Sequence, residues 1–97
     1  MPHMTSVELA AKGRRVRHLD VSFHFRCEVR DILDEGVDVL LHDLTGRSRD
    51  LLATLRPDNF TAAQLEALMP GDIFEWRLGQ AMLNTGSSVH YSETIFP

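Results

Sequence analysis

The run from Leu19 to Val29 constrains this chain more than any other stretch. Leu19, Val21, Phe23, Phe25, Cys27 and Val29 alternate with Asp20, Ser22, His24, Arg26 and Glu28, and Arg30 continues the polar set. Apolar residues at period two over such a length predict a β-strand with one face on a core and the other toward water. The phase slips at Ile32 and Leu33, where a bulge or the strand's end is expected. Asp34, Glu35 and Gly36 then form a turn. Val37 to Leu44 reads as a second strand, and the short connection favours an antiparallel hairpin. Thr45 to Asp50 is a loop, and Leu51 to Arg56 reads as a third strand, although Leu51, Leu52 and Leu55 also fit a helix; Pro57 ends it either way.

The pattern changes at residue 60. Thr61 and Gln64 stand at capping-box spacing, and Phe60 and Leu65 occupy the positions of a hydrophobic staple. A helix over about 61–69 is expected, stopped by Pro70 and Gly71. Period two returns with Phe74, Trp76 and Leu78 on one face. Asn84 to Ser87 marks a hairpin turn between arms at Gln80–Leu83 and Val89–Phe96. Upstream, Thr5 or Ser6 can cap a short helix ending at Gly13, one too short to hold by itself. The opening Met1–Met4 is set aside as a candidate expression scar.

Strands with one short helix before the last hairpin predict a mainly β fold: a small antiparallel barrel or strongly curved sheet, OB-like, with an SH3-like alternative. Ninety-seven residues suit one such domain, expected over 18–97, behind a basic and partly flexible N-terminal arm over 1–17. The charge supports that division. The first 17 residues carry four basic groups against Glu8, a net +3, and the rest carry six basic against thirteen acidic, a net −7. Such a body repels phosphate, and the arm attracts it. No apolar run approaches a membrane span, no signal pattern opens the chain, and the lone Cys27 suits a reducing compartment. A cytoplasmic protein is the expectation.

Two resemblances attach to particular residues. Gly36 to Gly46, GVDVLLHDLTG, resembles the second-strand region of S1-type OB domains. LEALMPGDIFEWRLG with the closing YSETIFP resembles a set of short uncharacterised bacterial proteins that share a Pro-Gly-Asp corner, an aromatic-x-Trp strand and a final Phe-Pro. That resemblance covers about the last third of the chain and implies no activity.

The residues argue against catalysis. His24 and Cys27 are three apart on one strand and point to opposite faces, so Cys27 is read as a core thiol. His24, His42 and His90 with Asp43 lack zinc-ligand spacing, so neither a metal nor another cofactor is expected. Asp72 follows Pro-Gly at a corner, where a carboxylate binds backbone N–H groups. The expected function is non-enzymatic: a module that recognises a protein partner as a subunit, an antitoxin-like or immunity-like protein, or a homodimer. The alternative is single-stranded nucleic-acid binding. In either case the candidate contacts with phosphate or an acidic partner are Lys12, Arg14, Arg15, Arg17, Arg26, Arg30, Arg47 and Arg49.

Overall fold

The computed structural model describes residues 3–97, so Met1 and Pro2 lie outside it. The elements are β1 (His3–Thr5), α1 (Ser6–Ala11), β2 (Val16–Leu33), β3 (Gly36–Asp43), β4 (Leu51–Leu55), a 3₁₀ turn (Pro57–Asn59), α2 (Ala62–Ala67), β5 (Ile73–Leu83) and β6 (Ser88–Ile95). The strands form one sheet in the order β1-β6-β5-β2-β3-β4, curled into a half-barrel. All neighbours are antiparallel except β1 and β6. The mainly β, curved-sheet expectation is therefore met. The central β2 pairs with β3 on one side and β5 on the other, and α2 lies between β4 and β5. No helix among the described residues is long and apolar enough to cross a membrane.

Both helices start as their sequences dictate. Gln64 N–H donates to Thr61 Oγ1 at 3.1 Å, and Thr61 N–H donates to Gln64 Oε1 at 2.9 Å. Thr5 and Glu8 repeat this box at α1. Asp72 fixes the corner after α2: its carboxylate accepts from Met69 N–H at 2.9 Å, and its carbonyl accepts from Val29 N–H at 2.8 Å.

The sheet buries opposite faces in its two halves. On the first face Phe25, Cys27, Val29, Val37, Val39, Leu41, Leu55 and Phe74 meet Phe60 and Leu68 from the α2 region. Phe96 joins Phe60 and Phe74 with ring centroids 5.0–6.2 Å from its own. Within β5 the buried set then changes phase. Phe74, Trp76 and Leu78 serve the first face, whereas Ala81 and Leu83 point to the other and pack with Val89, Tyr91 and Leu9 of α1. The β5–β6 register runs unbroken through this change, so it is a change of face and not a slip.

The pivot is Gly79. A Cβ there would lie 1.9 Å from the carbonyl oxygen of Asp20, so only glycine lets β2 approach. Beside it β2 bulges: Val21 pairs with Gly79 but Phe23 pairs with Leu78, leaving Ser22 as the extra residue. The bulge corrects two expectations. Val21 turns to the opposite face from Phe25, and Phe23 stays on the face of Phe25 but 45% exposed, outside the interior expected for it. A second irregularity falls at Arg30, just ahead of the slip anticipated at Ile32.

The N-terminal segment also differs from its expectation. His3 and Met4, set aside with the opening residues, pair with His90 and Tyr91 in β1. Residues 16 and 17 already belong to β2, so the anticipated domain boundary falls inside a strand.

A candidate protein-binding edge

β4 ends the sheet on one side, and among the described residues no strand pairs with its outer edge. Its position follows from local chemistry. At the end of β3, Asp43 is buried and its carboxylate accepts from Thr45 N–H at 2.8 Å, Thr45 Oγ1 at 2.5 Å, Arg47 N–H at 3.2 Å and Ser48 Oγ at 3.0 Å. These bonds, led by that from the Thr45 hydroxyl, pull the Asp43 pKa down to about 2. The loop they organise delivers the chain to Leu51. Leu51 to Leu55 then pair with Leu41 to Val37, and Pro57, which has no N–H, ends the strand.

Beyond β4, hydrogen bonds hold the 3₁₀ turn against β6. Trp76 Nε1 donates to Ser92 Oγ at 2.7 Å, and Ser92 Oγ donates to Asn59 Oδ1 at 2.6 Å. Thr94 Oγ1 donates to the Asn59 carbonyl at 3.0 Å. The 3₁₀ turn is thereby fastened to β6 without a strand ladder.

The edge itself is apolar. Leu51 is 54% and Leu52 74% exposed, and Leu51–Leu55 contains no charge, proline or bulge. Those are the devices that usually blunt a free edge. Leu52 lies on the outer face beside its partner Leu40, and Leu51 lies at the rim of the inner face beside Leu41. Asp50 and Arg56 flank the strand. Asp50 meets His42 Nδ1 at 2.8 Å, and Arg56 meets Asp58 at 2.6 Å. The sequence offered a signal for this edge, the uncharged run LLATL, but not its place at the sheet's end.

The basic residues expected to act together are dispersed. Lys12 caps α1, and Arg14 and Arg15 lie in the following loop beside Asn84, whose N–H donates to the Arg15 carbonyl at 2.8 Å. Arg17 and Arg26 are nine residues apart on β2, roughly 30 Å at about 3.3 Å per residue. Arg26 pairs across the sheet with Glu75 and His42, and Arg30 lies 3.7 Å from Glu28. Arg47 donates to Thr45 Oγ1 at 3.0 Å and to the Ser22 carbonyl at 2.5 Å, with its guanidinium 5.6 Å from the Phe23 ring centroid. Arg49 follows in the same loop.

Three of the five histidines meet different acids, His18 with Asp20, His24 with Glu75 and His42 with Asp50, and His90 lies opposite His3 in the β1–β6 pair. Among the described residues no three His, Cys, Asp or Glu side chains gather as a metal site would require. Cys27 is fully buried, and burial pushes its thiol up to about 12. No protein-family model, curated protein or solved structure matches the chain.

Proposed function

We propose that this protein is a non-enzymatic binding module that recognises another polypeptide by adding its strand to the edge of β4. The observation that carries the reading is the uncapped run Leu51–Leu55, with two leucines more than half exposed beside open backbone. Main-chain hydrogen bonds would supply affinity, and the alternating side chains would supply choice of partner. The seclusion of Cys27 supports a packing role for the chain's one thiol.

The test compares Leu52→Lys with Met82→Lys, a second exposed apolar position on β5. Partners recovered from the native host with the wild-type chain are lost with Leu52→Lys and kept with Met82→Lys. Equal retention by both variants overturns the reading.

A second reading, single-stranded nucleic-acid binding, draws on Phe23. Its ring is half exposed, stacked on Phe25 at 6.0 Å and flanked by Arg47. Exposed aromatics beside cations serve as stacking platforms for bases. This reading expects oligonucleotide affinity that falls steeply with salt and is weakened by Phe23→Ala. Absence of binding at low salt removes it.

A further inference from the structure

We infer that the strand received by β4 is the β4 of a second copy of this chain, antiparallel and centred on Ala53. The inference rests on the edge reading above and names its occupant.

The segment from Asp50 to Arg56 reads Asp-Leu-Leu-Ala-Thr-Leu-Arg. Laid antiparallel against itself about Ala53, it is self-complementary. Leu51 faces Leu55 of the second copy, Leu52 faces Thr54, and Ala53 faces Ala53. At each end Asp50 faces Arg56, so two opposite-charge pairs form by symmetry. A C2 interface requires this property, since one patch must complement itself. Directly opposed opposite charges stabilise a strand pair, and opposed like charges destabilise it.

Neighbouring registers lose the match. A slip by one residue sets the inner face of one copy against the outer face of the other. Centring on Leu52 sets Arg49 opposite the buried Leu55, and centring on Thr54 sets Arg56 opposite the apolar Leu52. Only the Ala53 register keeps apolar residues together inside and charges paired outside.

The flanking groups can exchange partners at little cost. Asp50 and Arg56 are each more than half exposed at the side chain, and each closes on a neighbour in its own chain. Exposed pairs of that kind contribute little. In the dimer Leu51, exposed in the single chain, is covered beside Leu55 of the second copy, and the two half-barrels share one twelve-stranded sheet.

Sedimentation from low to high micromolar concentration tests this with the whole chain. The wild type is expected to sediment as a dimer. Asp50→Arg and Arg56→Asp each place two like-charge pairs across the seam and weaken the dimer about tenfold. The double reversal restores the pairing and returns the wild-type dissociation constant. Ala53→Cys forms an intermolecular disulfide on oxidation, because opposed residues of an antiparallel pair have Cα atoms about 4.5–5.5 Å apart. Unchanged thermal unfolding at low concentration shows that the variants fold. A wild-type chain that stays monomeric while losing a captured partner on Leu52→Lys overturns the second copy and leaves the edge reading standing. A dimer indifferent to both single reversals and without the Ala53→Cys cross-link overturns the β4 seam, whereas the edge reading itself falls only if Leu52→Lys and Met82→Lys retain partners equally.

Discussion

The two borders of the sheet are built in opposite ways. β1 has three residues, and its last, Thr5, is fully buried and serves at once as the cap of α1. The Thr5 hydroxyl accepts from Glu8 N–H at 3.0 Å and donates to the Asp58 carbonyl at 2.9 Å. The chain thus leaves strand geometry before it offers a usable edge. β4 has five residues, follows the exposed loop over 44–50 and shows Leu51 and Leu52 to water. Length and an immediate helix are enough to close a border without any charge. The contrast identifies β4 as the border left available.

The largest expected effect comes from Gly79→Ala, which strikes the crossing that carries both borders. A methyl group 1.9 Å from the Asp20 carbonyl oxygen forces β2 and β5 apart. A loss of about 3 kcal/mol is expected, seen as a large drop in the thermal midpoint. A variant with wild-type stability would show that the two strands are not held this close.

Asn59→Ala comes next, because it removes the acceptor for buried Ser92 Oγ and one fastening of the seam beside β4. The expected cost is about 2 kcal/mol in chemical denaturation. Thr5→Ala opens the other border. Losing a helix cap and a buried hydroxyl contact costs about 1–2 kcal/mol and raises amide exchange over α1 before the rest of the chain. Leu52→Lys, on the available border, changes stability by no more than about 0.5 kcal/mol, since the residue is largely in water. On the proposed reading its effect falls on association alone.

Asp43→Asn gives the finest test, read from the pH profile of stability. The folded pKa of Asp43 lies near 2, below its ordinary value of 3.8. The ionised carboxylate therefore adds stability that is fully present above about pH 4 and lost as pH falls through about 2. In the asparagine variant that part of the acid limb flattens. Acid should also loosen residues 44–50, which lead into β4, before it touches the approach to β1.

Much of the fold could be read from local pattern. The alternation from Leu19 to Val29 predicted the core of β2, the Thr61–Gln64 pair predicted the start of α2, and the Pro70–Asp72 corner predicted the entry to β5. Each signal is carried by residues close in sequence. The misplacement of Phe23 has a different origin: one extra residue at Ser22 re-aims the strand, and serine carries no mark of a bulge. The change of face in β5 was more accessible, because the even-numbered apolar set ends at Leu78, the odd-numbered one begins at Ala81, and glycine stands between them. The bond between Ser92 and Asn59 joins residues 33 apart and cannot be inferred from either neighbourhood. The candidate cations posed the same difficulty. Their number could be counted, but their dispersal along a strand and into separate loops depends on the folded path.

The hydroxyl-and-amide fastening at Asn59 has one more consequence. Close-packed rings can trade bulk with their neighbours, whereas a chain of donors and acceptors accepts only replacements that keep the same polarity at each link. The join at the 3₁₀ turn should consequently be less forgiving of substitution than the phenylalanine cluster next to it, although fewer atoms are involved.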